Sequence, residues 1–217
     1  MVSPRPLDTD VRSATLAAAT RLFAAQGFDG TALQEIADAV GVTKPAVLHH
    51  YPSKEHLRQA VLGSILEHWN LLLPRLLVAA AAGHDRFDAV FGELVRFFAA
   101  DPDRARILLR ETLDRPAAMG KLLRRVVRPW LAMMAQQVRA GKEAGRHYED
   151  VDEEAYVLHV IQLAIMATAC GPVTSTVIEG DSVARYDREL VRIARSSLFS
   201  PPREQGARGP RRRKPRD

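Results

Sequence analysis

Apolar residues recur every three or four positions along most of the chain, the spacing of amphipathic helices. Val11, Thr15, Ala18, Ala19, Leu22 and Phe23 form a first stripe, which Gly27 in "AAQGF" ends as a C-terminal cap. "TALQEIADAVG" predicts a second, short helix. Thr31 and Gln34 have the spacing of a capping box, and Leu33, Ile36, Ala37 and Val40 share its inner face up to Gly41. Thr43 caps a third short helix with Pro45 in its first turn, where a missing N–H costs nothing, and Pro52 closes it. Ser53 caps a fourth, roughly residues 53–82, that carries Leu57, Ala60, Val61, Ile65 and Trp69 inward and has a kink expected at Pro74.

Longer helices follow. One is predicted from about Arg86 to Ala99, and another starts at Pro102 with Asp101 as cap. A long one spans Pro116 to Ala144, interrupted by Pro129; one runs from near Asp152 to Ala169; the last covers Ser182 to Phe199. Strict apolar–polar alternation is rare, so no strand is predicted. The expectation is an all-α fold of about nine helices. It divides into an N-terminal domain over 8–68, a helical domain over 69–200 and a disordered tail over 201–217.

Charge changes this picture only locally. The net charge is +5. The tail alone holds seven basic and two acidic residues, which leaves twenty-four of each sign in residues 1–200. A nucleic-acid partner must therefore be argued from a patch, not from composition. One cysteine, Cys170, excludes an internal disulfide and a thiolate zinc cluster, and fits a reducing cytoplasm. The N-terminus lacks a signal-peptide core and no apolar run approaches a bilayer span, so a soluble, cytoplasmic protein without membrane contact is expected. There is no HExxH, GxSxG, Gly-rich phosphate loop or paired-carboxylate arrangement, so no catalytic residue is assigned and no cofactor is expected.

The stretch "TKPAVLHHYPSKEHL" carries the chemistry. Two short helices joined by "VGVT" match a helix-turn-helix, whose second helix enters the major groove of duplex DNA N-terminal end first. That helix start offers free N–H groups and a positive dipole end to phosphate, and Lys44 adds charge. Thr43, Lys44, Ala46 and His49 fall on or near the exposed side, whereas Val47, Leu48 and Tyr51 supply inward bulk. Lys54 occupies the next helix start, again a phosphate position. His49 and His50 are adjacent and so point about 100° apart on a helix, which opposes shared metal binding. Packing, solvation or DNA contact stay open for His50 and Lys54.

The segment "ATRLFAAQGFDGTALQEIADAVGVTKPAVLHHYPSKEHL" closely resembles the DNA-binding domain of TetR-family transcriptional regulators. The resemblance covers about residues 8–68. It implies a TetR-like three-helix DNA-binding domain, a C-terminal domain for ligand binding and dimerisation, and a homodimer on a divergent or palindromic operator. It also implies phosphate contacts by Thr31, Ala32, His50, Tyr51 and Lys54, and base-edge contacts by Thr43, Lys44, Ala46 and His49. Pro45 is a helix-start residue on the same DNA-facing end. Leu48 departs from the pattern, since the family commonly has a tyrosine there; leucine has no hydroxyl for phosphate, and His49 or His50 would have to supply that contact. Only Arg5 and Arg12 precede the first helix as a basic arm.

The second domain is rich in large, soft side chains suited to a largely apolar small-molecule pocket. Candidate ligand residues are Phe98, Trp130, Met133, Met134, His159 and Gln162, with Trp130 placed after Pro129 and the last two as polar anchors three positions apart. Core packing is the competing explanation for each. "EEAYVLHVIQLAIMATA" has apolar surface enough for a dimer partner. The implied function is a repressor released from its operator by a ligand, the alternative being a ligand-independent DNA-binding regulator or activator.

Overall fold

In a computed structural model, residues 8–81 and 86–201 are described, and these contain eleven helices and no strand. They are α1 (Asp8–Gly30), α2 (Leu33–Val40), α3 (Lys44–His50), α4 (Lys54–Ala81), α5 (Arg86–Ala99), α6 (Pro102–Asp114), α7 (Pro116–Val126), α8 (Arg128–Glu143), α9 (Glu153–Ala169), α10 (Gly171–Val177) and α11 (Ser182–Ser196). The fold is all-α as expected, with two helices more than the sequence suggested. One is α10, which the "CGP" break conceals. The other comes from Pro129, which lacks the N–H needed to continue the helix from Pro116 and splits it into α7 and α8 at Val127. The basic tail beyond Pro201 lies outside the described residues, as does Arg5; Arg12 lies inside α1 rather than before it.

Two cores share α4. Ala18, Ala19 and Phe23 of α1 pack with Ile36, Tyr51, Leu57, Val61 and Ile65. From Trp69 onward α4 joins a different cluster, with Leu72, Leu76, Leu94, Phe97, Trp130, Met134, Val157 and Ile161. Ile107 of α6 and Met119 of α7 insert into the first core, so the larger helical part grips the N-terminal one directly. α4 runs on through Pro74, which faces solvent where water can take up the carbonyl it leaves unpaired.

The junction is also polar. Arg110 donates from Nε to the Ala24 carbonyl at 3.1 Å and from Nη2 to the Ala25 carbonyl at 3.0 Å, satisfying acceptors at the end of α1. Arg58 on α4 pairs with both Glu55 and Glu111, and Arg115 lies 3.6 Å from Glu111. The Phe28 ring takes three cations, Lys54 at 4.4 Å, Arg115 at 4.5 Å and Arg58 at 5.8 Å from its centroid.

Candidate DNA-reading helix and apolar cavity

The sequence builds α2 and α3 as a rigid pair. Gly41 adopts φ 75°, ψ 32°, a left-handed conformation that glycine enters at little cost, and the Val42 N–H closes back on the Ala37 carbonyl at 3.0 Å. Thr43, extended at φ −84° and ψ 153°, accepts the Ala46 N–H on Oγ1 at 3.4 Å, and Pro45 sits in the first turn. Val47 is wholly buried, burial worth about 1.5–3 kcal/mol. It fixes the roll of α3, so that Thr43, Lys44, Pro45 and His49 face solvent, with Ala46 and Leu48 half-buried. His50 is half-buried, and its ring meets that of His49 edge-on at 5.3 Å.

One expectation for this region is corrected, and the surroundings of two predicted contact residues are defined. The capping box is shifted by one residue: Ala32 is the N-cap, and its N–H donates to Glu35 Oε2 at 2.7 Å, while Gln34 bonds Asp38. Thr31 is buried, and its hydroxyl donates to the Gly27 carbonyl at 2.8 Å, so the side chain closes the α1 turn. Gly27 itself has φ 81° and breaks α1, as its predicted cap role requires. Tyr51 is also buried, with its hydroxyl donating to the Arg12 carbonyl at 3.2 Å. It holds α1 to the end of α3. Ala32 is exposed at the α2 start, and Lys54 is half-exposed at the α4 start beside Phe28.

The second domain encloses a cavity of about 610 Å³ between α4, α5, α8, α9 and the chain after α11. Trp130 and Met134 line it with Phe87, Phe91, Tyr156 and Phe199. The other four candidates do not. Phe98 and Met133 belong to the core cluster behind the wall. His159 and Gln162 are exposed, because α9 turns Val157, Ile161 and Ala164 inward and these two residues lie on its other side. Their shared face could be read from their spacing; its direction could not.

Sequence reasoning missed Arg146, His147 and Tyr156. His147 stands on a connecting segment with no periodicity to mark it. Its Nδ1–H donates to the Val138 carbonyl at 2.9 Å and its ring meets Phe199 edge-on at 4.9 Å. The Tyr148 N–H reaches the Leu198 carbonyl at 3.1 Å and the Ser200 N–H reaches Arg146 at 3.1 Å, clasping this segment to the chain end. Tyr156 donates to the Ala194 carbonyl at 2.7 Å, and burial pushes its phenol above the usual range.

Burial, against a smaller opposing effect of the Val138 hydrogen bond, lowers the His147 pKa below the ordinary imidazole value. The unfolded chain then binds the proton more readily than the folded one. Stability from this group is complete above the unfolded pKa of about 6.5 and falls as pH drops below it. Denaturant melts from pH 8 to 5 should show this slope, and His147→Gln should flatten it.

Residues 16–61 match the family model for bacterial regulatory proteins of the tetR family. The HTH-type transcriptional regulator RutR of Escherichia coli K12 is 34% identical over 139 residues, 61% of this chain and 64% of that protein, and RutR of Shigella flexneri matches equally. The aligned part thus spans 64% of the length of these curated relatives. Among solved structures, a tetR-family regulatory protein from Rhodococcus RHA1 superposes with a TM-score of 0.70 at 24% identity, over 87% of this chain and 97% of that one. The ketosteroid regulator KstR2 of Mycobacterium tuberculosis gives 0.67 at 16% identity, over 93% and 98%. A regulator from Saccharomonospora viridis, solved with choline, gives 0.64 at 19%, over 89% and 100%. At these identities the superpositions speak for the fold alone. Residues 16–61 thus carry the N-terminal sequence of the bacterial tetR-family regulators, and the described residues share the fold of the tetR-family protein from Rhodococcus RHA1.

Proposed function

We propose that this protein is a sequence-specific DNA-binding transcriptional regulator of the cytoplasm, a homodimeric repressor that a small apolar ligand releases from a palindromic operator. The observation that carries the reading is α3: Val47 is locked into the core while Thr43, Lys44 and Pro45 at the capped start of the helix and His49 near its end stand in solvent. A helix presented this way fits a major groove, and the exposed start of α2 and half-exposed start of α4 flank it as phosphate sites. The transcriptional-regulator relatives support the same role.

For the dimer, α9, α10 and α11 leave Leu158, Leu163, Met166, Val173, Val177 and Ile193 exposed, apolar side chains that a partner subunit would cover. A two-fold axis through it would pair two copies of α3. For the ligand, the cavity supports a receptor reading, as does the choline held by the relative from Saccharomonospora viridis. Ligand in the cavity and operator on α3 would compete through α4 and α6, each weakening the other by the same coupling, typically about 1–3 kcal/mol.

Salt titration of operator binding tests the DNA face. Lys44→Ala should weaken binding and lower the salt slope by about one if the lysine meets one phosphate. Tyr51→Phe should leave that slope unchanged while costing about 0.5–1.5 kcal/mol of stability, because its hydroxyl serves the Arg12 carbonyl. A Tyr51→Phe variant of full stability with a reduced slope would overturn the assignment.

A further inference from the structure

We infer that the cavity selects an apolar monocarboxylate, with its acyl or aryl body among the aromatic walls and its carboxylate at Arg146; this rests on the receptor reading above. Among the described residues the wall contains no aspartate or glutamate, and Arg146 is its one side chain of fixed charge. Burial disfavours the charged form of His147, and its Nδ1–H is committed to Val138. The Tyr156 hydroxyl hydrogen is committed in the same way to Ala194. The donors at the mouth are the exposed side chains of Gln137 and Arg146, whereas Phe91, Trp130, Val157 and Ile161 are buried. Apart from the buried Trp130 indole N–H, which has no hydrogen-bond partner among the described residues, polarity is therefore gathered at one end of the space, the pattern that orients an amphiphile head outward. The backbone of Arg146 is fixed by the Ser200 N–H at 3.1 Å, so the guanidinium extends from a stationary base. A quaternary ammonium ligand would find aromatic faces here but no carboxylate among the described residues, and Arg146 would repel it.

Three probes sharing one chain separate these chemistries: decanoate, 1-decanol and decyltrimethylammonium, each below its micelle-forming concentration, followed by thermal shift and titration calorimetry on the full-length protein. Decanoate should bind about tenfold or more tightly than decanol, the ammonium compound weakest of all. Arg146→Gln should remove the decanoate advantage and leave decanol unchanged. Ala140→Trp, at the exposed mouth, should block both. An ammonium compound binding as tightly as decanoate, or an Arg146→Gln variant that keeps the preference, overturns the inference while leaving a ligand receptor in place. Failure of all three probes overturns it as well. The receptor reading is then judged separately, by whether any compound in a broad thermal-shift screen stabilises the protein selectively.

Discussion

Gly141→Ala is expected to melt earlier than the parent protein and to open the cavity wall. A Cβ on Gly141 would lie 1.9 Å from His147 Cε1 and 2.1 Å from its Nδ1, well inside contact distance. The imidazole has little room to retreat, since Val138 holds its Nδ1–H at 2.9 Å and Phe199 meets its ring. Relief requires the ring to leave its seat, which gives up the hydrogen bond and the edge contact together. Overpacking of this kind costs about 1–3 kcal/mol, and for a chain of this size each kcal/mol lowers the melting midpoint by about 2–4 °C. A double-mutant cycle isolates the clash. His147→Ala alone removes packing, but in its background the added methyl group meets nothing. The double variant should then be clearly less destabilised than the sum of the single ones. Strict additivity would mean that the two residues do not share this contact.

Glu111→Ala is expected to have the larger effect. The Glu111 and Arg58 side chains are only 8% and 11% exposed, and together they join α6 to α4. Removing the carboxylate leaves a guanidinium with much of its surface out of water. Breaking a buried pair from one side costs about 3–5 kcal/mol, and the lower end applies because Glu55 still faces Arg58. Glu111→Gln keeps an acceptor in place and should cost less. The damage should also be local: hydrogen exchange should quicken in α1 and the first turns of α4 while α8 and α9 keep their protection. Uniform loss of protection would argue that the contact supports the whole fold and does not specifically hold the N-terminal helices to α6.

Much of the fold could be read from short-range signals, because helices are specified locally. Thr43, Pro45 and Gly41 fix the ends of α2 and α3 through backbone chemistry that a few residues contain in full. Thr31 and Tyr51 show where such reading fails. A threonine before a helix can cap it or turn inward, and only the break at Gly27 decides that its hydroxyl closes the preceding turn. Tyr51 was legible as inward bulk, but its Arg12 partner lies 39 residues away. The cavity was harder still. Trp130 and Met134 were found because bulky residues on a helix after a proline are conspicuous. Arg146 and His147 were not, because a connecting segment acquires its role from what clasps it, here the chain end at Leu198 to Ser200.

The reading of α3 is tested most directly by selecting fragments from random duplex DNA with the purified protein and sequencing those retained. The expected result is an inverted repeat whose half-sites are centred about one helical turn apart, roughly 34 Å. Its base preference should change on Lys44→Ala or His49→Ala and survive Tyr51→Phe. Retention of no common sequence at low ionic strength, or a motif indifferent to every exposed side chain of α3, would contradict it.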